Sequence, residues 1–388
     1  MSSTVRVLLV AVCGYGRRYL EEMKKGMDGT ELAGIVEVRP DVLETEPWLA
    51  QNRIPVYRTV EDFFAVDRAD LTVIVSPIHL HTQMVIACLR NGSNVLCEKP
   101  LCVTQEEADQ MQAEADKAGR FLAVGYQRDY RRDVQCLKRE ILNGALGKPL
   151  RVRVLQGFRR GSQYYARNNW AGKIRVNGHD VFDSPLQNAC AHGFQLACFL
   201  LGKDMPSACA VTKVDAELYR GNPNVENYDV VALRAHTDVG VPVLFYSAHP
   251  IPLDFWGPTA RYEFERGTVL MNGREGGDEE IITVVYPDGT TRDISRETGE
   301  TPYMQKFYDA IRCAREGGTP ICGVSAERAH IAAVQLAQKT PVTDIDSAHV
   351  DVVETERNGT YWYVHELTEK LTHAAENWSL PREAGIMI

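Results

Sequence analysis

The sequence predicts an α/β protein of two domains: a doubly wound parallel sheet at the N-terminus, then an α+β domain with a large, mostly antiparallel open sheet. Three observations predict it. The chain has 388 residues, too many for one ordinary core. Over the first third, apolar runs alternate with helix-like stretches, as parallel strands joined by crossover helices require. Beyond about residue 127, strand-like runs follow one another with turn signals between them. The boundary is therefore drawn between residues 1–127 and 128–388.

Taken in order, "VRVLLVAV", "ELAGIVEV", "LTVIVS", "NVLCEK" and "FLAVGY" supply the strands of the first domain, and "RRYLEEMKKG", "HTQMVIACLRNG" and "QEEADQMQAEADKAG" its helices. Thr104 ahead of acidic residues marks a helix start and Gly119 a stop. In the second domain the strands are "KPLRVRVLQG", "SACAVTKVDAELY", "NYDVVALRAHT", "VPVLFYSAH" and "ARYEFERGTVLMN", and "EEIITVVYPDGTTRDI" carries an Asp-Gly hairpin turn. Helices are expected at 130–143, 179–201, 302–317, 324–338 and 364–377.

Composition excludes several classes. The chain is 44% hydrophobic and 24% charged, and no apolar run is long enough to cross a bilayer. "MSSTVRVLLVAV" lacks the basic segment, apolar stretch and small-residue cleavage site of a secretory leader and reads as a first strand, so a cytoplasmic protein is expected. A net charge of −9 leaves no basic footprint for nucleic acid or an anionic membrane. The ten cysteines form no CxxC pair, and no histidine cluster completes a metal pattern around the closest two, Cys97 and Cys102. Cys88, Cys136, Cys198 and Cys209 lie in apolar settings and are expected to be reduced core thiols.

"VAVCGYGRRYL", residues 10–20, reads as a strand running into a helix through a glycine turn, the seat of a dinucleotide pyrophosphate, with two expected glycines missing. In one register Gly14, Gly16 and Tyr19 hold the three positions; in the other Ala11, Cys13 and Gly16 do. The second starts the turn where the strand ends and puts Gly16 where the helix must approach the sheet. Cys13 then places a side chain where backbone should meet phosphate, so the pyrophosphate is expected to shift toward the amides of Gly14, Tyr15 and Gly16. Glu37, about twenty residues further on, ends the second strand, where a carboxylate accepts from the adenosine ribose hydroxyls and repels a 2′-phosphate. NAD is expected over NADP, with Arg39 the residue that could pair with that phosphate.

"VSPIHLH" (75–81) and "LCEKPLC" (96–102) should end neighbouring strands at the carboxyl edge of the sheet. With "AVGYQ" (123–127) and "AHGF" (191–194), the chain resembles the glucose-fructose oxidoreductase, inositol dehydrogenase and MocA family over almost its whole length. The resemblance implies an NAD(P)-binding Rossmann domain, a homo-oligomer (dimer or tetramer) built on the second sheet, and Lys99 as the catalytic lysine beside the carbon that exchanges hydride. It also implies that Pro100 fixes the chain leaving the strand and that His81 lies close to the nicotinamide half. The residues themselves agree on Lys99: a lysine ending a buried parallel strand is desolvated, which lowers its pKa toward neutrality. Ser76 and Pro77 should carry backbone past the cofactor, and Glu98 should hold the lysine or lie against the nicotinamide edge.

On the substrate side the family often has an aspartate four residues before a histidine on one helical face; here these are Asn188 and His192. Asp183 lies nine residues before His192, off that face unless Pro185 breaks the helix. Tyr126, Gln127 and Arg128, and "YYARNNWAGK" (164–173) with Trp170, suit a polyhydroxylated ring. Asn227, Asp229, His249 and Trp256 are read as strand residues facing a core or a partner subunit.

The leading expectation is an NAD-dependent oxidoreductase acting on a hydroxyl-bearing carbon of a sugar, cyclitol or sugar derivative, a small carbohydrate-like substrate. Lys99 is its acid-base residue and His192 assists. One alternative is a glycoside hydrolase that uses tightly held NAD for transient oxidation and elimination. Another is a non-catalytic sugar or nucleotide sensor.

Overall fold

The computed structural model describes residues 4–273, 280–355 and 359–388. They fall into two compact units: Met1–Tyr130 with Thr301–Ser325, and Arg131–Glu300 with Ala326–Ile388.

In the first unit, β1 (Val5–Val10), β2 (Thr30–Val36), β3 (Val56–Tyr57), β4 (Leu71–Ile74), β5 (Asn94–Cys97) and β6 (Leu122–Val124) form a sheet in the order β3-β2-β1-β4-β5-β6. Every pairing is parallel. Val5, Val7, Leu8, Leu9 and Val10 of β1 are all buried, the near-continuous apolar run of a strand covered on both faces, broken only by the half-buried Arg6. The strand order reverses beside β1, so the carboxyl ends of β1 and β4 flank the crevice in which open α/β sheets take their ligands. Helix Gln105–Ala118 begins at Thr104 with a reciprocal capping box to Glu107 and ends at Gly119, whose φ is 62°.

The segment 301–325, assigned by the sequence pattern to the second domain, belongs to the first unit. Phe307, Ala310, Ile311 and Cys313 form the apolar stripe of helix Gln305–Glu316 and join Val5, Val7, Leu9 and Leu20 in one core. The chain then runs along β6, where the Val124 N–H donates to the Cys322 carbonyl at 2.8 Å. The boundary also falls at residue 130 rather than 127, because Tyr130 is buried and its hydroxyl bonds the Val124 and Cys322 carbonyls at 3.2 and 3.3 Å.

The second unit holds a nine-stranded sheet. Its strands are β7 (Pro149–Phe158), β10 (Val211–Arg220), β11 (Val230–Thr237), β12 (Val243–Ala248), β13 (Phe255–Phe264), β14 (Gly267–Gly273), β15 (Glu280–Val285), β16 (Thr291–Asp293) and β17 (Val342–Asp344). A small hairpin of β8 (Arg175–Val176) and β9 (His179–Asp180) stands apart. The order is β16-β15-β14-β13-β7-β12-β11-β10-β17; only β12 with β7 and β10 with β17 pair in parallel. The Asp-Gly turn closes between β15 and β16, with Tyr286 and Thr290 bonded at 2.9 Å. Along β12 the side chains alternate: Leu244, Tyr246 and Ala248 pack with Leu371, Ala374 and Ala375 of helix Leu367–Glu376, while Phe245 meets Phe194 edge-on at 5.7 Å. A last hairpin, β18 (Val350–Thr355) with β19 (Gly359–Val364), was not read from the sequence.

The single helix expected over 179–201 is not formed. Ser184 caps a short π-type turn, Pro185–Ala189, and a regular helix starts only at Ala191 and runs to Leu200. Pro185 sits in the first turn, where its missing N–H costs nothing, so it starts a helical segment rather than breaking one. Cys88, Cys198 and Cys209 are buried as expected, but Cys136 is only half-buried. Among the described residues no helix is long and apolar enough to cross a membrane.

Candidate active site

In the first unit the glycine turn follows β1 directly. Ala11 has φ 63° and Gly14 φ 90°, both left-handed. At Gly16 a Cβ would lie 2.0 Å from the Ala11 carbonyl oxygen, so only glycine lets the helix Arg17–Lys24 start so close to the strand end. These are the features of the register Ala11, Cys13, Gly16. Cys13 is half-buried, with extended backbone ahead of the Gly14–Gly16 turn. Burial, and then the charge of Glu37, push its thiol pKa up, so it stands here as a neutral side chain.

Glu37, 4% exposed, follows β2. Its Oε1 accepts from the Val38 and Arg39 N–H groups at 2.9 and 3.1 Å, and its Oε2 from the Cys13 N–H at 3.2 Å. The carboxylate thus ties the second strand to the glycine turn, and Oε2, with one long bond, retains lone-pair capacity for a ribose hydroxyl. Arg39 is engaged by Asp41 through a fork of 3.0 and 2.5 Å, so its guanidinium already holds a carboxylate partner. Ser76, just beyond β4, has a buried Oγ with no hydrogen-bond partner among the described residues. An orphaned hydroxyl, a close-approach glycine turn and a strand-end carboxylate on one sheet edge together fit a dinucleotide.

His81 has its Nδ1 3.1 Å from the carbonyls of Pro100 and Leu101 and its Nε2 2.7 Å from the Ser76 carbonyl. Its ring therefore staples the segment after β4, which carries Pro77, to the segment after β5. Lys99, half-buried, comes two residues after the last residue of β5, and the Lys99–Pro100 bond is cis. Its backbone N–H donates to Glu98 Oε2 at 3.2 Å.

Glu98 itself faces inward. Its Oε1 accepts from the Tyr19 hydroxyl and from the Lys306 ammonium, each at 2.5 Å. Lys306 is 0% exposed and also donates to the Gly125 carbonyl at 3.0 Å and the Tyr15 hydroxyl at 3.3 Å, so its three protons meet three acceptors. Burial holds its pKa below the usual lysine range, against the opposing pull of Glu98. Tyr15 bonds Tyr303 at 3.1 Å, and at Gly125 a Cβ would lie 2.7 Å from Glu98 Oε2. Glu98 was expected to hold Lys99 or to lie against the nicotinamide edge; its carboxylate is engaged by Tyr19 and Lys306, and it meets Lys99 at that residue's backbone N–H. Lys306 was missed, although a lysine on the stripe shared by Phe307, Ala310 and Cys313 breaks the pattern of a buried helix face. Tyr126 and Arg128 are buried after β6, and Gln127 is half-buried.

In the second unit Asn188 lies in the π-type turn and His192, half-buried, in the helix that follows. The break between them brings Asp183 back into play: its Oδ1 accepts from Asn188 Nδ2 at 2.9 Å and its Oδ2 from the Gly172 N–H at 2.7 Å. Asp183 thus reaches Asn188, five residues on. Trp170 is half-buried, with its backbone N–H donating to Asn168 Oδ1 at 3.0 Å and the Arg167 guanidinium 5.2 Å from its ring centroid. Among the described residues no group of His, Cys, Asp and Glu is placed to hold a metal ion.

Comparison with known proteins bears on these groups. A family model described as an oxidoreductase family with an NAD-binding Rossmann fold matches residues 6–126. The myo-inositol 2-dehydrogenase of Thermotoga maritima is 27% identical over 233 residues, 59% of this chain and 65% of that protein. The scyllo-inositol 2-dehydrogenase (NAD(+)) of Bacillus subtilis is 26% identical over 306 residues, 76% of this chain and 79% of that protein. The match spans less than two-thirds of the Thermotoga relative's length, and 44% of that of an inositol 2-dehydrogenase from Rubrobacter xylanophilus. Among solved structures, the aldose-aldose oxidoreductase of Caulobacter crescentus superposes with TM-score 0.69 at 19% identity, covering 87% of this chain and 98% of that one. The WlbA dehydrogenase of Bordetella pertussis, in complex with NADH and UDP-GlcNAcA, gives 0.70 at 21%, covering 86% and 95%. At such identities the likeness is one of fold.

Proposed function

We propose that the chain, whose residues 6–126 match an oxidoreductase family model with an NAD-binding Rossmann fold, is a member of the glucose-fructose oxidoreductase, inositol dehydrogenase and MocA family and an NAD-dependent oxidoreductase acting on a hydroxyl-bearing carbon of a sugar, cyclitol or sugar derivative. One observation carries the reading: Lys99 leaves β5 at the carboxyl edge of a parallel sheet whose first turn and second strand end, Gly16 and Glu37, are shaped for a dinucleotide.

The bound cofactor would supply the hydride acceptor. The chain's own residues do the rest. Glu37 accepts from ribose hydroxyls, the amides of Gly14, Tyr15 and Gly16 face the pyrophosphate, and the Ser76 hydroxyl finds its missing partner on the cofactor. The Lys99 amine takes the substrate hydroxyl proton as the neighbouring C–H bond breaks, and His192 is a hydrogen-bonding group for the sugar. Asn188, whose Nδ2 donates to Asp183 Oδ1, binds the sugar. Because Arg39 is held by Asp41, NAD is the preferred cofactor over NADP.

The test is formation of reduced nicotinamide across a panel of sugars, cyclitols and sugar acids, with Lys99→Met as the control. Turnover lost in the variant while NAD still binds supports the reading. Full turnover in Lys99→Met, or glycoside cleavage with no net reduced nicotinamide, overturns it.

A further inference from the structure

Arg160 and Arg167 both lie against the ring of Tyr164, their guanidinium carbons 4.4 and 3.5 Å from its centroid. Neither enters an ion pair among the described residues, although Arg159 next door pairs with Asp254 and acids outnumber bases in this chain, 52 to 43. The Nε of Arg160 is buried without a hydrogen-bond partner among the described residues. The nearby carboxylates make their hydrogen bonds elsewhere. Asp183 is occupied by Gly172 and Asn188, and Asp229 accepts from the Gly221 and Asn222 N–H groups, both at 2.8 Å.

Next to the arginines stands His249, 3% exposed. Its Nδ1 is 2.9 Å from the Tyr165 hydroxyl, and its Nε2 is buried without a partner among the described residues. Burial and the two arginines hold its pKa well below the usual histidine range, so the ring stays neutral and offers Nε2 as a hydrogen-bonding atom, not a charge. The group is continuous with Asn188: the Tyr165 ring would touch a Cβ at Gly172 at 2.9 Å, and the Gly172 N–H donates to Asp183, which binds Asn188.

We propose that Arg160, Arg167 and His249 form an anion-binding subsite and that the substrate is an acidic sugar, whose carboxylate the two guanidinium groups take while the Tyr164 ring packs on its C–H face. This rests on the reading of the chain as a hydroxyl-oxidising enzyme. Guanidinium matches a carboxylate with paired, charge-assisted hydrogen bonds, and an unmatched pair in a chain rich in acids is completed by an anion from outside.

The test compares a neutral aldose, the corresponding uronic acid and its phosphorylated form on the whole protein with NAD. Calorimetry of uronic acid binding to the protein–NADH complex runs alongside. The uronic acid should be favoured, and Arg160→Gln should lower its kcat/KM about 10- to 100-fold, mostly through KM, while changing the neutral sugar less than about threefold. Arg160→Lys should recover part of the loss. Arg167→Gln, at an exposed position, gives a second variant that does not threaten folding. Equal use of neutral and acidic sugars, equal losses on both in Arg160→Gln, preference for the phosphate, or no binding of the acid at millimolar concentration overturns the proposal. Acid binding that depends on Arg160, without any nicotinamide reduction, upholds the subsite and overturns the catalytic reading instead.

Discussion

Replacing Lys306 with methionine removes an ammonium from a site with no solvent to take its place. The Glu98 carboxylate, 7% exposed, would keep the Tyr19 hydroxyl and the Lys99 N–H but lose its counter-ion at 2.5 Å, and the Gly125 carbonyl and Tyr15 hydroxyl would each lose a donor. Breaking a buried pair from one side costs about 3–5 kcal/mol, because the remaining charge stays desolvated. Against a typical domain stability of about 5–15 kcal/mol that is a large fraction. Urea unfolding of the wild type, Lys306→Met, Glu98→Gln and the double variant measures it. The double variant should be more stable than the sum of the single losses predicts, since it leaves no unpaired charge. A Lys306→Met loss below about 1 kcal/mol, or strict additivity in the cycle, would refute the reasoning that this pair is buried and coupled.

Gly16→Ala should abolish NAD binding and destabilise the first unit, because its Cβ would sit 2.0 Å from backbone; Gly14→Ala, with open space around it, should cost only about 1–2 kcal/mol of left-handed strain, and thermal unfolding with NAD titration separates the two. Asp41→Asn should release Arg39 and raise the use of NADP relative to NAD, read as a ratio of kcat/KM values. Burial pushes the pKa of Asp229 up to about 7, above its unfolded value of about 3.9, so the folded state binds more protons in between. The stability this group contributes is full below about pH 4 and is lost as pH rises through about 7. Asp229→Asn should therefore flatten the stability profile across that window by a few kcal/mol, and an unchanged profile in urea unfolding would count against it.

The parallel sheet was legible because a strand buried on both faces is a nearly continuous apolar run, as in β1, where Arg6 alone interrupts it. β3, two residues long, carries no such pattern. The glycine turn was legible because, within it, Gly16 is where the helix start meets the backbone of the strand end. Helix 305–316 was visible as a helix, but amphipathicity says only that one face is covered, not by which sheet. The Glu98–Lys306 pair joins positions 208 residues apart, beyond any local pattern. Asp183 was discounted on the geometry of a regular helix, and the π-type turn altered that geometry. His81 was placed by resemblance, and the carbonyls around its ring could not be read from residue types.

The return of residues 301–325 to the first unit has a consequence for biosynthesis. A nascent chain that has emerged only as far as Tyr130 holds all six strands of the nucleotide-binding sheet but lacks the helix that covers part of it and the amine that neutralises Glu98. Domains commonly mature in the order of synthesis. Here the half that is translated first is completed late, after residues 131–300 have been made, and a chain cut at the apparent boundary would leave Val5, Val7, Leu9 and Leu20 bare on one side and Glu98 without its counter-ion.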